Sequence, residues 1–240
     1  MKSYGSCTSC VEKTPQYEQD GREAFFNAEQ NALVARNAEH YYRTMVRGDS
    51  PSWNIRDQHM VETLERLMEH HGSQAKAIVW EHNTHIGDAR ATDMAAAGMV
   101  NVGQLVRERH EKEGVVLVGF SSHRGTVIAA TEWGAPMQVM NVPPGREGSW
   151  EDLLHRAGPA NKLVLMYEVG KQSPLHAQRG HRAIGVVYRP QYEQYGNYVP
   201  TEVTQRYDAL LFLDETSALK PLHVRAGFEH EVPETYPTGL

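Results

Sequence analysis

Apolar side chains recur in the first fifth of the chain at alternating three- and four-residue steps. Phe25, Ala28, Ala32, Ala35, Tyr42 and Val46 fall on one side of a helix predicted over residues 17–47, with Glu39 interrupting the stripe. Gly48-Asp49-Ser50-Pro51 breaks that helix, and Ser52 stands where a cap for the next one belongs. The second helix carries Met60, Leu64, Leu67 and Met68 on its inner face and stops at His71-Gly72. The period then changes. Ala77 to Glu81 reads as a short buried strand, an apolar Ala-Ile-Val-Trp run closed by a carboxylate.

Downstream, helices and apolar runs alternate. A helix is predicted over 101–112 and a strand over 115–119, and the segments 126–131 and 137–142 are spaced as a hairpin at a sheet edge. Pro143-Pro144-Gly145 punctuates the chain and Ser149 caps a helix over 150–157. Strands are expected over 162–169, 183–188 and 207–213, with loop over 170–181 and a polar, Tyr-rich loop over 191–205. Apolar strands separated by helices predict an α/β fold with a largely parallel or mixed sheet. Residues 1–16 read as a flexible tail, 17–222 as one domain and 223–240 as an irregular tail.

Composition narrows the function classes. A formal charge of −6 argues against a nucleic-acid partner, which needs a basic surface, and Arg107, Arg109 and Lys112 read as a solvated helix face. No apolar run is long enough to cross a bilayer, and the N-terminus lacks the apolar core of a secretory signal. A cytoplasmic location and no membrane partner are therefore expected. Cys7 and Cys10 form a lone CxxC without two further zinc ligands or the strand-helix context of a redox pair, so reduced thiols in a tail are expected.

Candidate chemistry concentrates in KAIVWEHNTHIGDARATD, residues 76–93. His82 and His85 lie three apart, between Glu81 and Asp88. Such a pair has three possible roles: a general base oriented by a carboxylate, two metal ligands short of a third, or histidines satisfied by the backbone. Arg56 and Asp57 open the second helix, where Asp57 complements the helix dipole and Arg56 suits a substrate oxygen or a catalytic carboxylate. His123 in GFSSHRGT reads as a surface-loop histidine. No phosphate-cradling glycine pattern and no GxSxG elbow occurs, so nucleotide binding and serine hydrolysis are not indicated. Tyr192, Tyr195 and Tyr198 either line a site for an apolar ligand or pack their loop.

The blocks FFNAEQNALVARNAEHYYRTMV, SWNIRDQHM, VWEHNTHIGDARATDM, NVGQLVRER, GFSSHRGTV, GSWEDLLHRAG, RAIGVVYRPQYEQYGNYVPT and YDALLFLDETSALKPL together resemble the erythromycin esterase family. The likeness runs in order from about Glu23 to Leu222. It implies an α/β fold with helices on both faces of the sheet and hydrolysis of a carboxylic ester. In the best-known members that ester is a macrolide lactone, an antibiotic-resistance activity requiring neither metal nor cofactor. The family's histidine motif falls on His82 and His85, the expected catalytic residues; Arg56, Glu81 and Asp88 are the expected substrate-binding groups. Members are longer and start with a Gly-Glu-x-x-His-Gly type motif that nothing before Phe25 matches, so the chain resembles their C-terminal portion. The expected partners are a small-molecule ester, a separate N-terminal chain completing the site, and further copies of this chain. A ligand-binding remnant without turnover and a metal-dependent hydrolase are the alternative readings.

Overall fold

The structure is a computed structural model and describes residues 21–46 and 52–220. The chain divides into two compact units, residues 1–78 and 79–240. The tails expected before residue 17 and after 222, with Cys7 and Cys10, lie outside the described residues.

The first unit is a helix pair, α1 (Arg22–Val46) and α2 (Ser52–His71). Its contacts run in reverse order along the two helices, which makes them antiparallel. Glu23 and Phe26 meet His70, Glu29 meets Arg66, and Asn37 meets His59. Both helices lie where their periodicity puts them, but α1 buries no residue and α2 buries only Ser52, Asp57 and Val61. Leu67, expected on the inner face, is 38% exposed.

The second unit is built on a four-stranded sheet of order β2-β1-β6-β3, formed by β1 (Val118–Ala129), β2 (Gln138–Val142), β3 (Lys162–Leu165) and β6 (Ala209–Thr216). A separate antiparallel pair joins β4 (Gln178–Arg182) to β5 (Tyr198–Glu202). β1 and β6 run parallel, and the other two pairings are antiparallel, so the sheet is mixed. Short helices α3 (Asn83–Ile86), α4 (Val102–His110), α5 (Trp150–Arg156), α6 (Glu193–Gly196) and α7 (Val203–Arg206) complete the unit. Ser149 caps α5 as its sequence predicts, accepting the Asp152 N–H at 3.3 Å.

Alternation along the strands decides which face of the sheet carries the core. Gly119, Ser121 and His123 point inward with their register partners Leu210 and Phe212. There they join a core of Trp150, Leu154, Met166, Val203 and Tyr207, with Val164 packed against it. Val118, Phe120 and Arg124 point the other way. In that row Phe120 registers with Leu211 and Leu211 with Leu163; Phe120 is 39% and Leu163 59% exposed. A second small core of Ala129, Met140, Val142 and Tyr188 sits under the β1–β2 hairpin.

Several sequence expectations give way here. Residues 77–81 are not a strand and are not buried: Ile78 is 95% and Trp80 82% exposed. A strand needs a partner's backbone, and it is the Asn83 side chain that takes up the Phe120 N–H and C=O. The segments at 115–119 and 126–131 are one strand, because the polar GFSSHRGT between them continues β1 through Gly125. Gly125 has φ +134°, and an added Cβ there would meet the Thr216 carbonyl, so only glycine lets β1 bend at that point. The loop predicted over 170–181 contains β4, and the Tyr-rich loop contains α6, β5 and α7. Residues 183–188 form no strand and contribute a single bridge from Val187 to Ala130. The strand expected over 162–169 stops at Leu165.

Candidate functional site

The histidine stretch folds as a short clamped turn. His82 is extended (φ −67°, ψ 150°) and caps the one-turn helix α3, its Nδ1 accepting the Thr84 N–H at 3.3 Å. Nδ1 also meets Thr84 Oγ1 at 2.9 Å, and Nε2 lies 2.9 Å from the Ile184 carbonyl. A carbonyl only accepts, so Nε2 carries the proton and Nδ1 the lone pair, which describes a neutral imidazole. Desolvation by the protein around the ring lowers the His82 pKa. The Ile184 bond opposes this shift, while the charges of His85, Arg206 and His181 reinforce it. His85 is half-buried three residues on, close enough for its charge to act on His82.

Three asparagine and arginine side chains hold this turn in place. Asn83 brackets Phe120, the third residue of β1. Asn101 is fully buried at the cap of α4; its amide N–H groups reach the carbonyls of Thr84 and Gly87, and its oxygen accepts from Ala89 and Gln104. Arg206, 1% exposed, donates through Nη2 to the Asn83 carbonyl at 3.1 Å and through Nη1 to Thr201 Oγ1 at 2.8 Å. Its own carbonyl accepts the Asp88 N–H at 3.0 Å. Gly87 is needed where the turn crosses this support: a Cβ there would stand 2.6 Å from Arg206 Nε and 2.7 Å from the Tyr207 ring.

Beneath the turn lies a buried polar layer. Glu151 Oε1 accepts from Ser121 Oγ at 2.9 Å, His181 Nδ1 at 2.8 Å and the Arg182 N–H at 3.0 Å. Burial alone would raise this carboxyl, but the His181 bond and the neighbouring positive charge prevail and lower it to about 2. Tyr207 stands edge-on to His181 at 5.8 Å, and its buried hydroxyl is pushed up to about 12 by desolvation. Next to this layer, Arg182 pairs with Glu193 at 2.8 Å and reaches the carbonyls of Ser122, His123 and Pro143. Tyr188 and Tyr198 also donate to Glu193.

The expected site residues separate accordingly. Glu81, His82 and His85 occupy one continuous turn of the second unit, and Asp88 follows it. Asp88 is 3% exposed and its carboxylate is held by Arg90 at 2.7 Å and Arg107 at 3.3 Å. Burial would raise its pKa, but the Arg90 and Arg107 bonds lower it. Arg56 belongs to the first unit, on α2, with its guanidinium 4.6 Å over the Trp53 ring and 3.8 Å from the buried Asp57 carboxylate. Arg107 leaves the solvated face assigned to it, because Asp208 at 2.8 Å and the Gln205 carbonyl hold it alongside Asp88. Tyr192 and Tyr195 are exposed, while Tyr198 packs under Arg146 and Arg182.

His123 corrects the surface-loop expectation: it is 6% exposed, inside β1, and stacks on His155 at 3.7 Å with the rings 5° from parallel. The polar run that looked like loop is satisfied inside by Glu151, Arg182 and His155. The sequence reading missed Glu151, His181, Arg182 and Arg206, whose partners lie 5 to 123 residues away in the chain. Asn101 alone carried a local signal, as an amide at a helix start. Among the described residues no cluster of three His, Cys, Asp or Glu side chains is arranged to hold a metal ion, and no helix is long and apolar enough to cross a membrane.

Solved structures share this fold. A protein from Bacillus cereus superposes with a TM-score of 0.67 at 18% identity, covering 87% of this chain and 50% of its own. A succinoglycan biosynthesis protein gives 0.59 at 20% identity, over 89% of this chain and 54% of that one. A histidine-to-asparagine mutant of the erythromycin esterase EreC, in its open conformation, gives 0.52 at 19% identity, over 73% and 41%. The chain thus spans about half the length of the first two structures it matches. The erythromycin esterase family model matches residues 7–216, most of the 240-residue chain. With the mixed α/β sheet in agreement, the chain belongs to the erythromycin esterase family.

Proposed function

We propose that the chain carries the histidine half of a carboxylic-ester hydrolase, with a macrolide lactone as the leading substrate. The observation behind this reading is the clamped turn: two imidazoles three residues apart in one short turn that Asn83, Asn101 and Arg206 hold in place. Clamping of this kind keeps catalytic groups in a productive pose. His82 has both ring nitrogens on protein groups and serves as the neutral brace of the turn. His85 acts on the water or steadies the oxyanion that forms when water adds to the ester carbonyl. Glu81 takes a polar group of the substrate, and Asp88 keeps the end of the turn in register.

The rest of the site comes from the part of the family fold that the matched half does not span, as a further segment or a separate chain. The outward row of Val118, Phe120 and Leu163, with the exposed Trp80 ring 5.5 Å from Phe120, is apolar surface suited to that contact. A second reading, binding without turnover, has the half-length match in its favour. The test is an assay of the purified chain against macrolides and simple esters, alone and with an added N-terminal portion, beside a His85→Ala variant. Hydrolysis that disappears in His85→Ala supports the first reading. Hydrolysis unchanged in His85→Ala overturns it, and macrolide binding by calorimetry with no turnover under either condition favours the second.

A further inference from the structure

Arg206 is fully buried, yet among the described residues its guanidinium donates hydrogen bonds only to neutral acceptors, the Asn83 carbonyl and Thr201 Oγ1, and otherwise lies 5.3 Å over the Tyr207 ring. A buried charge normally finds a carboxylate, because desolvation is expensive when uncompensated. The carboxylate of the buried layer, Glu151, already takes three hydrogen bonds from Ser121, His181 and the Arg182 backbone. The positive charge of Arg206 is therefore directed at the turn above it, where Gly87 passes so close to Nε that no side chain fits. Every grip that Arg206 makes on the turn is to backbone: Nη2 on the Asn83 carbonyl, and its own carbonyl on the Asp88 N–H. Those two points flank the segment that carries His85, and the first adjoins His82.

We infer that Arg206 is the positioning residue of the histidine turn, a buried guanidinium that fixes the pose of His82 and sets the electrostatic field in which it works. The groups facing His82 are His85 on α3, Arg206 on α7, His181 on β4, and the Ile184 carbonyl and Thr84 that bond its ring. Arg206 is the permanent cation among them. It disfavours a second positive charge on the imidazole and holds in place a field that favours negative charge developing above the turn. The His82 pKa is lowered first by desolvation, and the Arg206 charge adds to that in the same direction.

The inference deepens the hydrolase reading and rests on it for its purpose, but its test reads His82 directly. Imidazole nitrogen shifts of His82 are followed by NMR across the histidine titration range in the full nitrogen-labelled chain, assigned against a His82→Gln spectrum. Arg206→Gln removes the charge, and the His82 midpoint is expected to rise; an unmoved midpoint in the folded variant overturns the inference. Arg206→Lys, whatever its own protonation, lacks the fork, so the Nε2–H tautomer is expected to give way to a mixture. A tautomer unchanged in Arg206→Lys overturns the inference as well, and decides the matter if the glutamine variant does not fold. Esterase turnover undiminished in His85→Ala would end the hydrolase reading without moving either signal.

Discussion

Two histidines a few side chains apart show how surroundings assign work to one residue type. His181 is 1% exposed, bonded through Nδ1 to a carboxylate that also takes Ser121 and the Arg182 backbone. His82 is exposed at its rim and bonds only neutral groups, Thr84 and the Ile184 carbonyl. The first ties β4 to α5, whose Glu151 also holds Ser121 of the sheet. The second braces a turn held by Asn83, Asn101 and Arg206, on which His85 is the imidazole assigned to chemistry. Location alone does not separate them; the charge and the accessibility of their partners do.

The comparison breaks most visibly at Glu151. Glu151→Ala leaves three buried donors without an acceptor and is expected to lower stability by about 3 kcal/mol or more, measured by urea unfolding. The wild-type carboxylate also makes acid unfolding predictable. Its folded pKa, about 2, lies below the ordinary 4.5, so its contribution is full above pH 4.5 and is lost as pH falls toward 2. That contribution is roughly 3 kcal/mol, and a Glu151→Gln variant should have a flatter stability profile through that window. At the turn the balance reverses. His85→Ala should leave the unfolding midpoint nearly unchanged while reducing ester hydrolysis by about 10²-fold or more.

His82 sharpens the contrast. Its folded pKa is depressed below the ordinary 6.5, so the stability it contributes is full above that value and declines as pH falls through the folded midpoint. His82→Gln should therefore remove a pH-dependent component just below neutrality from the urea profile. The smallest expected effect is at the outward row. Phe120→Ser should change stability by about 1 kcal/mol or less, yet weaken self-association seen by light scattering. If the wild-type chain is already a monomer at working concentration, that surface does not bring copies together.

Local signals in the sequence were sufficient for elements that hold themselves together and insufficient for those that rely on distant partners. The stripe of α1, the Ser149 cap and the spacing of the β1–β2 hairpin are local, and each predicts the element observed. The apolar run at 77–81 has the composition of a buried strand, but strand formation depends on a neighbour that no local signal reveals. The opposite error occurs in GFSSHRGT and in QRGHR, residues 178–182. Their polar residues look solvated, yet Ser121 and His181 are buried because Glu151, some 30 residues away in each case, receives both. The histidine pair was legible as a motif. Its support was not, because Asn101 and Arg206 reach the turn only after the chain has folded back on it.

The bend at Gly125 gives β1 two allegiances, with β6 along its first half and β2 along its second. Ala130 bridges to Val187 in the segment whose Ile184 carbonyl holds His82, so it is the hairpin tip beyond it, residues 132–136, that lies past both this bridge and the change of partner. Foreign sequence spliced at that tip, such as an epitope or a fluorescent reporter, would strain the outer ladder first and leave the imidazoles undisturbed, which makes it the natural port for tagging this protein in a cell.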